Sequence, residues 1–167
     1  NWSAFRVAVD GDCIEDIPNQ LEKVPTHTTD IVVSIGGNDL MKLRHLLAQV
    51  AEGANLDELI SSPLADFEFA YGWMLDAVSE RGLRVSACTI YTAIPFVERE
   101  MRDHAPSAIG EFNAIIQRLA EARGVTVIRL DVICSDQSDF SKMSPIEPSS
   151  KGGQKIVDAI LQTLGPS

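Results

Sequence analysis

The residues best equipped for chemistry in this chain stand in short runs between apolar stretches. Ser34-Ile35-Gly36-Gly37-Asn38-Asp39 is the most pointed of these. Gly36 and Gly37 allow backbone and ligand to approach closely, and the Asn38 amide beyond them can act as a fixed donor to a developing oxyanion. Such a contact is worth roughly 2.7 to 4 kcal/mol in a transition state. The same six residues also suit a plain strand-to-helix turn, with Asn38 or Asp39 as the helix N-cap. Asp10-Gly11-Asp12 places two carboxylates where they could bind a divalent cation or attack phosphorus, and Asp131 or Asp136 would complete the metal site. Ser150-Lys151-Gly152-Gly153-Gln154-Lys155 is a Gly-rich helix start that could cradle an anion. It lacks the Gly-x-x-x-x-Gly-Lys-Ser/Thr spacing of a P-loop, so a flexible helix start explains it better.

The elements that must position these groups alternate between apolar and amphipathic runs, the pattern of an α/β protein with a mostly parallel sheet. Phe5 to Val9 reads as a strand. Asp12 and Glu15 form a capping box for a helix with Ile14, Ile17, Leu21 and Val24 on one face. Asp30 to Ile35 is a buried strand, and the helix of Leu40 to Ala51 follows. Ser62 and Pro63 read as N-cap and N1 of a helix running to about Arg81, with Gly82 past its end. Phe67, Phe69, Tyr71 and Trp73 lie in that helix, where core packing accounts for most of them. Leu83 to Tyr91 is the third strand, Ala93 to His104 an irregular stretch, and Val125 to Asp131 the fourth strand after a helix ending at Gly124. A loop from Val132 to Pro148 leads to a last helix capped by Ser149 or Ser150, with Ile156, Val157, Ile160 and Leu161 facing in. Residues 1–167 read as one domain. Open parallel sheets bind ligands at the carboxyl ends of their strands. The loops Asp10 to Cys13, Gly36 to Asp39, Tyr91 to Pro95 and the one after Asp131 should therefore converge on one crevice.

With 167 residues, 45% hydrophobic and 23% charged, the chain can bury a core without a disulfide or metal. Cys13, Cys88 and Cys134 are scattered, with no Cys-x-x-Cys pair and no histidine at ligand spacing, so neither a zinc site nor a disulfide framework is expected. A net charge of −10, from 24 acidic and 14 basic residues with no Lys/Arg cluster, argues against nucleic acid or an anionic membrane as partner. No apolar stretch reaches the roughly 20 residues of a membrane-spanning helix. The chain opens on Asn1, so a signal sequence cannot be judged and localisation stays open, with the cytoplasm the default.

Three blocks carry a family resemblance. Val9-Asp10-Gly11, a helix ending in Gln20-Leu21, and Thr29-Asp30-Ile31-Val32-Val33-Ser34-Ile35-Gly36-Gly37-Asn38-Asp39 resemble the second and third blocks of the SGNH (GDSL-type) hydrolases. Ser144-Pro145-Ile146-Glu147-Pro148-Ser149-Ser150, ahead of Gly152-Gly153, is similar to the last block. The resemblance implies a flavodoxin-like three-layer α/β/α sandwich and an esterase, lipase or acyl-hydrolase needing no cofactor or metal. It also implies an oxyanion hole built from the Gly11 N–H and the Asn38 amide, with Gly36, Gly37 and Asp39 beside the substrate.

Two departures accompany it. The family's Gly-Asp-Ser nucleophile block, at the end of the first, central strand, would lie upstream of Asn1, and Ser3 does not replace it because it precedes a strand instead of following one. In the last block Ser144 stands at the place of the usual aspartate and Glu147 at that of the histidine, while His27, His45 and His104 lie elsewhere. Glu147 is thus the candidate base. A free glutamate has a pKa near 4.3, so burial or a like charge, from Asp136 or Asp139, would have to raise it. His104 would have to swing in from its loop. A relative that keeps the crevice only for binding is the alternative. A more distant one is a magnesium-dependent phosphatase of haloacid-dehalogenase type using Asp10 and Asp12, although the threonine usual after the second aspartate is absent. With the first strand upstream, the strands Phe5 to Val9 and Asp30 to Ile35 would flank a gap. It would be filled by an upstream segment or another chain, making an oligomer possible, or closed by direct pairing of the two strands.

Overall fold

The computed structural model describes residues 2–95 and 99–165. Three parallel strands, β1 (Asp30–Val33), β2 (Arg84–Cys88) and β3 (Thr126–Ile128), lie side by side in the order β1-β2-β3. Ile31 pairs with Val85, Val33 with Ala87, and Ala87 with Val127. Because side chains alternate along a strand, these residues join one core with the helices α4 (Leu56–Ser79) and α5 (Arg99–Glu121). Val32, Cys88 and Ile128 point the other way, against Ile156 and Ile160 of α7 (Ser150–Leu164). Helices on both faces of a parallel sheet make the α/β protein that the alternation predicts and the α/β/α sandwich that the resemblance implies.

Phe5 to Val9 is not a strand. Residues 2–9 have no regular structure, and Phe5 is 60% exposed, its ring meeting that of His27 edge-on with the centroids 5.3 Å apart. Apolar alternation alone does not hold a strand; it needs a neighbouring row of N–H and C=O groups, and the sheet ends at β1 without pairing to this segment. Direct pairing of Phe5–Val9 with β1 is thereby ruled out.

Helix starts moved where another cap competed better. The first helical segment, Ile14–Asp16 followed by α1 (Ile17–Leu21), starts from Cys13, whose N–H donates to Asp16 Oδ2 at 2.8 Å, so the box falls one residue after the Asp12 and Glu15 pair. The predicted helix of Leu40 to Ala51 begins earlier and divides at Leu43 into α2 (Gly37–Lys42) and α3 (Arg44–Ala51). Helix α4 begins at Leu56, well before Ser62, because Asn55 accepts the Glu58 N–H at 3.2 Å and Asp57 and Glu58 suit a helix N-terminus. Pro63 sits inside it.

Helix α5 also contains a proline, Pro106, and starts at Arg99, so His104 is helical; Phe96 to Glu98 of the predicted irregular stretch lie outside the described residues. β3 stops at Ile128, and Leu130–Ile133 forms a helical turn, α6. Helix α7 starts as expected, with Ser149 accepting from the Gly152 N–H at 3.2 Å. Val157 and Leu161, however, are exposed, and so are Phe69 and Trp73 of α4.

Candidate active site

The turn after β1 requires its first glycine. Gly36 has φ +107, and a Cβ there would lie 3.1 Å from the Phe67 ring and 3.3 Å from Ile90. This left-handed residue, not Asn38 or Asp39, is the N-cap of α2. Freed from capping, both side chains reach across to the segment after Val9. The Asn38 Nδ2 donates to the Asp12 carbonyl at 2.9 Å, and the Asp39 carboxylate accepts the Ile14 N–H at 3.2 and 3.4 Å. Asp12 in turn accepts from Gln20 Nε2 at 2.8 Å. Burial raises the pKa of Asp39, against the pull of the Ile14 N–H and of Lys42.

This clasp closes one wall of a cavity of about 260 Å³. Asp10, Gly11 and Asp12, then Gly36, Gly37 and Asn38, then Tyr91 and Ile94, and finally Ile146 all line it, so the four predicted loops converge on one crevice. Asn38 and Gly11 face it together. The Asn38 amide has two hydrogens, and Asp12 takes one; the second has no partner among the described residues. Asp39 does not line the cavity, since its carboxylate is turned to Ile14.

The last loop is placed differently. Glu147 is exposed and does not line the cavity, although its neighbour Ile146 does. Ser144 also lies off the lining, and its carbonyl accepts the Glu147 N–H at 2.9 Å. Asp139 is fully buried and held at 2.7 Å by the Lys155 ammonium, which keeps its carboxyl below the usual range. Asp136 is likewise lowered, chiefly by the Ser138 hydroxyl, so both carboxylates are already partnered. None of His27, His45 and His104 lines the cavity. The Gly-rich start of α7 has a packing explanation: a Cβ on Gly152 would come within 2.1 Å of the Asp139 carbonyl oxygen. Among the described residues, no three His, Cys, Asp or Glu side chains converge so as to hold a metal ion.

Two positioning residues, Asn113 and Thr89, escaped the sequence reading, whereas Tyr91 stands at the head of a loop it named. Buried Asn113 on α5 grips the strand end, accepting the Ile90 N–H at 2.7 Å and donating to the Ile90 carbonyl at 2.8 Å. A polar residue on an otherwise apolar helix stripe was the available signal. Thr89, on the cavity wall, donates to the Asp131 carboxylate and accepts the Asp131 N–H at 3.2 Å, tying the ends of β2 and β3 together. Tyr91 meets the Phe140 ring edge-on at 5.4 Å, and burial pushes its phenol up to about 12.

A family model described as the GDSL-like lipase/acylhydrolase family matches residues 1–155. No curated protein matches the sequence. Among solved structures, the fold is similar to an acetyl xylan esterase, AlAXEase, at 16% identity and a TM-score of 0.66, covering 94% of this chain and 78% of that one. An extracellular lipase from Streptomyces rimosus gives 16% and 0.66 over 90% of this chain and 77% of its own. A GDSL-like lipase from Bacteroides thetaiotaomicron gives 16% and 0.61 over 92% and 71%.

Proposed function

Because the chain belongs to the GDSL-like lipase/acylhydrolase family, we propose that its crevice is the acyl-transfer site of an ester hydrolase with an oxyanion hole formed by Gly11 and Asn38. The observation that carries this reading is the Asn38 amide, withheld from capping α2 and fixed by Asp12 on the wall that Gly11 shares. A donor locked before reaction stabilises developing charge without reorganising. The nucleophile is the serine that the resemblance places ahead of Asn1.

In the acylation step the serine oxygen bonds to the ester carbonyl carbon while its proton passes to a base. The carbonyl oxygen takes up the negative charge between the Gly11 N–H and the Asn38 amide. Expulsion of the alcohol, which takes the proton from the base, leaves an acyl-enzyme, and water then releases the acid by the same two steps. Glu147 is the proposed base, and it would have to turn inward beside Ile146 to act.

The test is ester cleavage by the intact gene product. Asn38→Ala should lower kcat roughly 10²-fold or more with KM little changed; an unchanged kcat would defeat the oxyanion assignment. The exposure of Glu147 and the absence of histidine from the cavity lining favour a second reading, in which the crevice binds an ester or acid without cleaving it. An intact protein that binds such ligands but turns over no ester would establish that reading.

A further inference from the structure

Helix α4 turns two aromatic side chains outward, away from the core that Phe67, Tyr71, Met74 and Leu75 of the same helix help to form. Phe69 is 81% and Trp73 50% exposed, and at i, i+4 spacing they make one ridge on the helix surface. Aromatics scattered singly are ordinary on a protein surface, but neighbouring ones leave a continuous apolar patch in water. Glu58, Ser62, Asp66, Asp76 and Glu80 are exposed too, and with the two aromatics they recur at intervals of three and four along one helix face. The charge of this face is one-sided. Leu56–Ser79 holds Asp57, Glu58, Asp66, Glu68 and Asp76 and neither lysine nor arginine. Arg118 neutralises Glu68 at 2.8 Å, and Arg123 neutralises Asp76 at 2.7 Å. Glu58, Asp66 and Glu80 form no ion pair among the described residues. Glu80 caps the C-terminal end of α4, where the helix dipole favours a cation, so its carboxylate does not serve the helix itself.

We propose that this outward face of α4 docks a basic amphipathic helix of a partner protein. Aliphatic side chains of that helix lie over the ridge of Phe69 and Trp73, as the ridges of one helix settle into the grooves of another. Its lysines or arginines reach Glu58, Asp66 and Glu80, and one of them stacks on the face of the Trp73 ring. The charges to be matched run about 33 Å, from Glu58 to Glu80, which is the length of a helix of about 22 residues. One helix laid on another is a small interface, so the complex is weak and salt-sensitive. An anionic membrane would welcome the aromatics, but the same carboxylates repel it. The face lies on α4, apart from the crevice, and binding there does not depend on whether the crevice cleaves esters.

Trp2 and Trp73 are the only tryptophans, so Trp2→Phe makes Trp73 the reporter of its own surroundings in the 167-residue chain. The probe is a helical peptide of leucine and lysine, about 22 residues long, with its leucines at i, i+3, i+4, i+7 spacing. One control peptide scrambles the leucine stripe, and a second carries glutamate in place of every lysine. The basic amphipathic peptide should move Trp73 emission to shorter wavelength, and the glutamate peptide should not bind. Scrambling should weaken binding about tenfold. By calorimetry, Phe69→Ser and Trp73→Ser should each cost about tenfold in affinity. Asp66→Asn with Glu80→Gln should cost about threefold and flatten the salt dependence. Both aromatics face solvent, so their removal leaves the core in place. Absence of binding by the basic peptide would overturn the proposal. So would equal binding by the wild type and a variant carrying both Phe69→Ser and Trp73→Ser, since net charge would then account for the attraction. A dimer in sedimentation equilibrium that the same double variant abolishes would assign the face to a second copy and not to a partner. Peptide binding by the 167-residue chain but not by the intact gene product would assign it to another segment of the same protein.

Discussion

Asn38 and Asp39 show how one turn can serve a neighbouring segment better than its own helix. Because Gly36 takes the cap position, Asn38 is free to hold the Asp12 carbonyl and Asp39 to hold the Ile14 N–H. The base is the open question at this scale, and Glu147→Gln addresses it by keeping shape while removing basicity. If Glu147 is the base, kcat on a soluble ester should drop roughly 10²-fold or more; retained activity would move the role elsewhere. Asp139 supplies a second residue-level prediction, of stability. Lys155 depresses its pKa, so its contribution is fully present above the unfolded value near 4 and is lost as pH falls through the lower folded value. Lys155→Met should leave a buried carboxylate with only Lys151 at 3.6 Å for charge compensation. The loss should be roughly 2 to 3 kcal/mol, a little under that for stripping a buried pair completely. Urea melts at pH 7 and pH 3 measure it, and the gap between variant and wild type should narrow at the lower pH.

At the scale of elements, α7 is fixed by how its first turn meets the loop before it. Gly152 lies against the Asp139 carbonyl, whereas Gly153 has open space around its Cα. Alanine should therefore act oppositely at adjacent positions. Gly152→Ala forces α7 away from the loop and should cost roughly 3 kcal/mol or more. Gly153→Ala removes a helix glycine and should stabilise by roughly 0.5 to 1 kcal/mol. Equal effects in chemical denaturation would mean that the close contact at Gly152 does not govern the docking of α7.

For the molecule as a whole, the outer edge of β1 is the weak boundary. β2 is paired on both sides, but β1 has a strand on one side only, and its first three residues are half-buried. Backbone amides along such an edge should exchange with solvent faster than those of β2 in hydrogen-exchange measurements. A strand laid there, from residues preceding Asn1 in the gene as the resemblance implies or from another chain, should slow exchange across Ile31 to Val33 and raise the denaturation midpoint. Equal protection of β1 and β2 in the 167-residue chain would remove the need for such a strand.

Local pattern carried much of this in advance. Apolar runs at Asp30 to Ile35, Leu83 to Tyr91 and Val125 to Asp131 announced a parallel sheet because strands covered on both faces must be apolar on both. Placing the glycine and asparagine runs just after strands was enough to foretell a shared crevice. Partnership was not legible. Phe5 to Val9 has a strand's composition yet pairs with nothing, since a strand exists only through its neighbour. Asn38 and Asp39 have the composition of helix caps, yet they bond residues 26 and 25 positions away. Of the two residues that position the cavity wall, Asn113 shows only as a polar residue on an apolar helix stripe and Thr89 carries no local motif. Only the tertiary structure decided these roles, because a side chain's hydrogen-bond partner is chosen by proximity in space and local composition constrains only what lies within a few residues along the chain.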